Sequence, residues 1–294
     1  MTFKNILCIT KVTTYDRYMA REQGRKTFLN LPERRQETIR ESHRNQKDFE
    51  TMLAVIVREI DLPVTFVSEK IIDKVDPRKH DLVMTCGGDG MFLQAAQRFE
   101  YNLLIGCNSD HSEDPKKGSV GALTLIHKGN LQQSLLRLRK GEFRVEAWRR
   151  LYASVNGKKL PFAAVNDVFF GPTEPDMTCS FTLSFRQKKE SFSSSGLIVA
   201  TGTGSTAWYH NAGGTPFSKD LNGFGFIVRE PNLKRNPAFV SQIVGDDVEL
   251  VVEPHRDGYF LSFDSRQETR HFVNVTDVVR VGLSKERPVR VVMV

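Results

Sequence analysis

Up to Gly141 the chain alternates between apolar runs and stretches whose apolar residues lie three or four positions apart. This alternation is typical of strand–helix–strand units, in which helices cover both faces of a parallel sheet. After Gly141 the pattern changes to short strands separated by turn residues, and the Asn156-Gly157 pair favours a hairpin. We therefore predict an α/β domain with a doubly wound parallel sheet over residues 1–142 and a mostly β, sandwich-like domain over residues 143–294. The last strands could return to the first domain.

The expected elements of the first domain are strands at 4–12, 64–67, 82–86 and 103–107 and helices at 32–60, 92–99 and 131–138. The strands at 64–67 and 82–86 are expected to be buried. Those of the second domain are strands at 150–155, 164–170, 179–185, 197–200, 225–228, 248–252, 259–263, 278–283 and 289–294. In a doubly wound sheet, ligands bind beyond the carboxyl ends of the strands.

One acidic residue lies inside a glycine loop after the strand at 82–86, in the run Gly87-Gly88-Asp89-Gly90. Glycines let the backbone approach a bulky ligand, and the start of the following helix favours an anion such as phosphate. Asp89 would repel a phosphate if it only lined such a site. It is therefore a candidate for handling a metal ion or an attacking hydroxyl. The alternative is that Asp89 merely caps the helix.

A second motif is Thr201-Gly-Thr-Gly-Ser-Thr-Ala-Trp208, where an apolar strand runs into small and hydroxylated residues. Gly202, Gly204 and Ser205 could donate hydrogen bonds to phosphate, while Trp208 and Tyr209 could stack on a flat ring. The alternative is a turn before a short helix.

A third motif is the polar pair Asn166-Asp167, which interrupts an otherwise apolar strand. Burying an amide and a carboxylate is unfavourable unless both are hydrogen-bonded. Ribose hydroxyls or a neighbouring loop must then supply the partners.

Composition excludes several classes of protein. No run approaches the roughly 18 apolar residues of a membrane span, and no signal peptide or presequence precedes the first strand, so we expect a cytoplasmic protein that does not bind membranes. The four cysteines form no CxxC pair and are expected to be buried free thiols instead of zinc ligands. The net charge of +7 fits nucleic acid or an anionic small substrate, and residues 21–47 carry eight Lys/Arg against four Glu.

In this order, the motifs resemble those of the NAD kinase family. That family's pattern of GGDG, a GxN loop, NE or ND, and GSTAY is matched here by Gly87–Gly90, Gly106-Cys107-Asn108, Asn166-Asp167 and Gly204-Ser-Thr-Ala-Trp208. The resemblance extends over almost the whole chain, from Lys11 to Asp264.

Two departures are similar to the branch typified by the mitochondrial NAD kinase. The segment Ser109–Lys117 is inserted before Val120-Gly-Ala-Leu-Thr, and Ser195 stands where most members carry Asp. Trp208 in place of Tyr is a further trait of that branch.

The resemblance implies transfer of the γ-phosphoryl group of ATP to the 2′-hydroxyl of the adenosine ribose of NAD, giving NADP, with Mg²⁺ on the ATP phosphates. Asp89 would be the base or orienter of that hydroxyl. The implied phosphate loop is Gly87, Gly88 and Gly90, and the implied NAD-binding residues are Asn108, Asn166, Asp167, Thr203, Gly204, Ser205, Thr206, Ala207 and Trp208. The implied partners are ATP and NAD, with no nucleic acid, in a homodimer or higher homo-oligomer.

A Walker lysine is absent from the sequence, so the cation that contacts the donor phosphates is unassigned. Two alternatives to an NAD kinase are a lipid or sphingoid kinase that shares GGDG and a nucleotide sensor without catalytic activity. Asn166-Asp167 and the 201–208 string favour nucleoside recognition over an acyl chain.

Overall fold

The structure is a computed structural model that describes residues 2–111 and 121–294. It divides into two compact units, one of Met1–Glu146 with Arg290–Val294 and the other of Ala147–Val289. The first unit is α/β with a largely parallel sheet and the second is mostly β with antiparallel sheets. The predicted fold class is therefore confirmed.

The helices are α1 (Thr14–Met19), α2 (Glu22–Leu29), α3 (Glu33–Glu59), α4 (Asp89–Arg98), α5 (Leu131–Lys140) and α6 (Trp208–Asn211). The strands are β1 (Ile6–Thr10), β2 (Val64–Ser68), β3 (Leu82–Gly87), β4 (Leu103–Asn108), β5 (Ile126–His127), β6 (Arg144–Trp148), β7 (Leu151–Val155), β8 (Lys158–Ala164), β9 (Asp167–Pro172), β10 (Cys179–Phe185), β11 (Lys188–Ser194), β12 (Gly196–Ala200), β13 (Gly223–Arg229), β14 (Ser241–Gly245), β15 (Glu249–Pro254), β16 (Tyr259–Phe263), β17 (His271–Val273), β18 (Val279–Leu283) and β19 (Val289–Met293).

The first sheet has the order β2-β1-β3-β4-β19-β6, and β5 pairs with β4. Strands β1, β3 and β4 are parallel and in register, so that Thr10 lies beside Cys86 and Gly87 beside Asn108. The carboxyl ends of three strands thus meet at one edge of the sheet. The glycine loop leaves the sheet at this edge.

The core of the first unit forms between this sheet and the helices. Helix α3 buries an apolar stripe that includes Phe49, Leu53 and Ile56 against strand residues such as Ile6. Helix α5 ends at Gly141, whose left-handed φ of 76° suits a residue without a Cβ. No helix among the described residues is long and apolar enough to span a membrane.

The second unit is a sandwich of two antiparallel sheets, ordered β11-β10-β15-β18-β7-β8 and β14-β13-β12-β9-β16-β17. Their inner faces share one apolar core, in which Phe181 of one sheet contacts Phe170 of the other with ring centroids 5.4 Å apart. The predicted hairpin at Asn156-Gly157 is confirmed, because both residues have positive φ and join the paired strands β7 and β8.

Some expectations from the sequence are wrong. The strand at 64–67 is not buried, because β2 is the edge strand of its sheet and exposes Thr65 and Phe66. Helices α1 and α2 lie in a stretch for which the sequence predicted no element. The four cysteines are buried free thiols, as predicted.

Candidate functional site

The glycine loop connects β3 to α4 at the carboxyl edge of the first sheet. Strand β3 ends at Gly87, Gly88 is the N-cap of α4, and Asp89 is the first residue of that helix. A Cβ on Gly87 would lie 3.1 Å from Met91 Cβ and 3.3 Å from Lys11 Cβ, whereas a Cβ on Gly90 would meet no described atom within 4 Å. Among the described residues, the loop is thus packed at Gly87 and leaves space at Gly90.

The carboxylate of Asp89 binds a neighbouring segment, not the start of its own helix. Its Oδ1 accepts hydrogen bonds from Leu123 N at 2.9 Å and Thr124 Oγ1 at 3.2 Å, and its Oδ2 accepts one from Ala122 N at 3.0 Å. The alternative that Asp89 caps α4 is therefore wrong, because the capping position belongs to Gly88. A carboxylate offers about four acceptor positions. The described residues occupy three of them, which leaves one on Oδ2 for a further donor.

Asn108 ends β4 beside Gly87 and is buried. Its Oδ1 accepts a hydrogen bond from Asp110 N at 3.2 Å. A Cβ on Gly121 would lie 2.2 Å from Asn108 Nδ2, so the amide packs closely against that glycine. Asn108 thereby connects the strand end to the segment that holds Asp89.

A cavity of about 330 Å³ lies at this edge of the first unit. Its lining is Lys11, Thr13, Ser42, Gln46, Gly88, Asp89, Gly90, Ser109 and Asp110. The lining is mainly polar. It includes the predicted positions Gly88, Asp89 and Gly90, together with Ser109, the residue after Asn108. This is a pocket for a charged or hydroxylated ligand.

Sequence reasoning missed the part of this cavity that comes from α3. Gln46 is buried and its Nε2 donates to Cys86 O at 3.1 Å, while its Oε1 accepts from the Ser109 hydroxyl. Asp110 accepts hydrogen bonds from Ser42 Oγ and Asn45 Nδ2, both at 2.7 Å. The signal in the sequence was a glutamine within the apolar stripe of α3. The remainder of the predicted insertion, residues 112–117, lies outside the described residues.

The second unit brings the other two motifs together. Thr201 N donates to Asn166 O at 2.9 Å, and a Cβ on Gly204 would lie only 2.1 Å from that same carbonyl oxygen. The Thr201 hydroxyl donates to Val165 O and accepts from Gly204 N. Only glycine permits this close approach between the two segments.

Two buried oxygens in this cluster have no hydrogen-bond partner among the described residues, Asn166 Oδ1 and Asp167 Oδ1. Asp167 is only 3% exposed. Buried polar atoms are almost always hydrogen-bonded, so these two oxygens require a polar partner, a ligand or a buried water, that the described residues do not supply.

Asp264, which follows β16, organises the same segment. Its carboxylate accepts hydrogen bonds from the backbone N–H groups of Val165 at 3.0 Å, Asn166 at 2.7 Å and Asp167 at 3.3 Å. Burial, together with the negative charge of Asp264, raises the pKa of Asp167 to about 7. Sequence reasoning named Asp264 only as the end of the resemblance and gave it no role.

The 201–208 string divides between structural and exposed residues. The Ser205 hydroxyl is buried, with its single proton in reach of Gly202 O and Phe217 O, and it accepts a hydrogen bond from Phe217 N. The prediction that it donates to a phosphate is therefore wrong. Tyr209 is also buried, against Phe217, and offers no open ring face. The string does lead into a short helix, α6, as the alternative reading expected.

Trp208 is partly exposed and packs against Phe169 with ring centroids 5.0 Å apart, while the Arg229 guanidinium lies 5.3 Å from the indole centroid. Ser195, at the position where most members carry Asp, hydrogen-bonds the carboxylate of Glu230 and lowers its pKa. These contacts belong to the second unit alone.

The chain is similar in sequence to curated NAD kinases. The NAD kinase of Picrophilus torridus is 32% identical over 208 residues, which are 70% of this chain and 71% of that protein. The NAD kinase of Methanopyrus kandleri is 31% identical over 214 residues, 69% and 73% of the two chains. With the NAD kinase of Marinomonas sp. the identity is 32% over 166 residues, and the match spans about half of that relative's length, 54%. No family model matches the chain.

Two solved structures share its fold. An NAD kinase from Archaeoglobus fulgidus in complex with ATP superposes with a TM-score of 0.68 at 16% identity, covering 98% of this chain and 93% of that one. Yeast NADH kinase complexed with NADH gives a TM-score of 0.72 at 15% identity, covering 100% and 84%.

Proposed function

The chain belongs to the NAD kinase family, and from this we propose that it transfers the γ-phosphoryl group of ATP to the 2′-hydroxyl of the adenosine ribose of NAD, giving NADP. The observation that carries the proposal is Asp89, a carboxylate fixed by three donors at the lining of a polar cavity beside a glycine loop. The described residues leave one acceptor position on its Oδ2 for a substrate hydroxyl.

Gly87, Gly88 and Gly90 bind the donor phosphates in this proposal. The first N–H groups of α4 and the positive end of its dipole favour an anion at the loop. Space beside Gly90 that no described residue occupies lets a phosphate approach the backbone. Among the described residues, no group of three His, Cys, Asp or Glu could hold a metal ion. Mg²⁺ commonly binds one or two carboxylates together with substrate phosphates, so it would enter with ATP and neutralise phosphate charge.

Asp89 orients the ribose hydroxyl for attack. Its three protein donors prevent the carboxylate from rotating away, and the remaining position on Oδ2 accepts the hydrogen bond of the hydroxyl. Phosphoryl transfer passes through a loose transition state, in which alignment and charge neutralisation matter most. A carboxylate held in this way supplies alignment.

Asn166 and Asp167 hold the sugar and adenine of NAD, and their unpartnered oxygens accept its donor groups. Thr206, Ala207 and Trp208 line the adenine pocket, and Thr203 and Gly204 belong to the same NAD-binding segment. Ser205 stabilises the turn through its internal hydrogen bonds. Asn108 contributes to NAD binding indirectly, because it packs against the segment that donates hydrogen bonds to Asp89.

Two finer proposals accompany the activity. Ser195, Trp208 and the Ser109–Lys117 insertion support the branch typified by the mitochondrial NAD kinase, and a sequence phylogeny that groups the chain with members carrying Asp at position 195 would contradict it. We also propose a homodimer or a higher homo-oligomer, which sedimentation of the purified protein tests.

The experiment is NADP formation from NAD and Mg-ATP by the purified protein, followed with an NADP-specific dehydrogenase and repeated with NADH. Asp89→Asn should retain NAD binding and lose at least ~100-fold in kcat, the usual scale for a residue that handles the proton of a nucleophile. Asp48→Asn is the matched control, because Asp48 is an exposed carboxylate of the same unit that does not line the cavity.

Three results would contradict the proposal. Full activity of Asp89→Asn would assign the orienting role to another residue. Phosphorylation of diacylglycerol or sphingosine without NADP formation would identify a lipid kinase. Tight NAD binding without turnover would identify a nucleotide sensor.

A further inference from the structure

Lys11 is the residue directly after β1, at the same edge of the sheet as the glycine loop. Its N–H donates to Cys86 O at 3.1 Å, which sets Lys11 level with Gly87. A Cβ on Gly87 would lie 3.3 Å from Lys11 Cβ and 3.5 Å from its Cδ. The lysine side chain therefore runs alongside the first glycine of the loop.

A second cavity of about 450 Å³ adjoins the one that contains Asp89. Its lining is Thr10, Lys11, Val12, Asp16, Met19, Ala20, Lys47, Ser68 and Lys70. Lys11 is the one residue that lines both cavities. It thus stands between Asp89 on one side and two further lysines on the other.

The charges of the second cavity are unbalanced towards positive. Lys47 is paired with Glu50 at 2.9 Å, and Asp16 accepts hydrogen bonds from Thr13 N and Oγ1. Within the part of the chain that the structure describes, neither the Lys11 nor the Lys70 ammonium has an ion-pair partner. Two such cations beside one cavity favour a multiply charged anion.

We propose that Lys11 is the cation that binds the phosphate chain of the phosphoryl donor, with Lys70 binding the end of that chain further from Asp89. The inference deepens the proposed function and depends on it for the identity of the donor. The side chain of Lys11 runs alongside the glycine loop, and its ammonium neutralises charge on the transferred group in this proposal. A Walker lysine performs the same task in P-loop enzymes. The binding chemistry is that of linked phosphates, which ATP and inorganic polyphosphate share.

The test compares Lys11→Met, Lys11→Arg and Lys70→Met with the wild type. Lys140→Met is the matched control, since Lys140 is an exposed lysine of the same unit that lines neither cavity. Kinetics with Mg-ATP and with inorganic polyphosphate distinguish the two donors. Calorimetry of NAD and of inorganic tripolyphosphate gives binding without turnover.

Loss of a hydrogen bond to a charged group predicts that Lys11→Met loses about 10- to 100-fold in kcat/KM for the donor. NAD affinity should stay within about twofold of the wild type, Lys11→Arg should recover most of the loss, and Lys70→Met should raise the donor KM by less than Lys11→Met does. If kcat/KM of Lys11→Met falls with ATP alone, the site is specific for ATP. If it falls equally with ATP and polyphosphate, the site recognises the phosphate chain itself.

Wild-type donor KM and wild-type tripolyphosphate affinity in Lys11→Met would overturn the inference, as would a parallel loss of NAD and donor binding. If Lys11→Met does not fold, the donor KM values of Lys11→Arg and Lys70→Met test the proposal instead. A wild-type donor KM in Lys70→Met then overturns the assignment of Lys11 and Lys70 to the phosphate chain. A wild-type protein that makes no NADP, yet binds tripolyphosphate at least tenfold more tightly than Lys11→Met, would refute the proposed function and leave the phosphate site standing.

Discussion

Replacing Asp167 by asparagine removes a buried carboxyl group that faces a second one. Asp264 accepts three backbone N–H bonds from residues 165–167, and its negative charge adds to the effect of burial on Asp167. Together they raise the pKa of Asp167 from 3.8 to about 7. The group therefore keeps its proton in the folded protein over a range where the unfolded chain has lost it.

The sign follows from the number of protons bound. Between about pH 4 and pH 7 the folded state binds more protons at Asp167 than the unfolded state, so this group makes the free energy of unfolding fall as pH rises. A shift of about 3 pKa units corresponds to about 4 kcal/mol at most, since each unit is about 1.4 kcal/mol. Above about pH 7 the ionised Asp167 lowers the free energy of unfolding by a constant amount.

Urea denaturation of the wild type and Asp167→Asn at pH 4.5 and pH 8 measures this difference. Between pH 4.5 and pH 8 the free energy of unfolding of the wild type should fall by several kcal/mol relative to that of the variant, because asparagine cannot ionise. Asp264→Asn is the control, and it should destabilise the protein at both pH values by weakening its bonds to three backbone N–H groups. Parallel pH dependences for the wild type and Asp167→Asn would refute the reasoning.

Two glycine variants separate demands of the fold from demands of the ligand. Gly90→Ala should stabilise the protein by about 0.5–1 kcal/mol, because alanine is the better helix residue and its Cβ meets no described atom. Its kcat/KM for the donor should nevertheless fall at least tenfold. Full activity would show that no phosphate approaches this position. Gly204→Ala should destabilise the protein by more than about 2 kcal/mol in thermal or urea unfolding, because its Cβ would lie 2.1 Å from Asn166 O. A wild-type melting temperature for Gly204→Ala would contradict the close packing of the two motifs.

Local patterns in the sequence predict most of the core elements of the fold. Strands β3 and β4 are continuous apolar runs because they are buried on both faces, and their position before polar residues locates the carboxyl edge. The same rule failed for β2, which has an apolar composition but lies at the edge of the sheet. Whether a strand is central depends on the order of strands, which no local pattern records.

The partners of the site residues could not be predicted for a related reason. Asp89 binds a segment 33 to 35 residues further along the chain, and Asp264 binds one 97 to 99 residues earlier. Asp264 was the harder to find, since it is a single acid after an ordinary strand. Motif spacing detects residues that are close in sequence, whereas these bonds depend on how strands are paired.

The glycines of the two motifs show how packing separates structural from ligand-binding positions. The backbone of Asn166 occupies the space that a Cβ on Gly204 would need, so the fold alone accounts for that glycine. The missing Cβ of Gly90 leaves space beside Asp89 that no described residue occupies, in a helical residue where alanine would be more stable. Packing against the described residues therefore gives no reason for glycine at position 90, whereas close approach of a ligand to the backbone does. That contrast supports a phosphate at the start of α4 independently of the motif's resemblance to a known family.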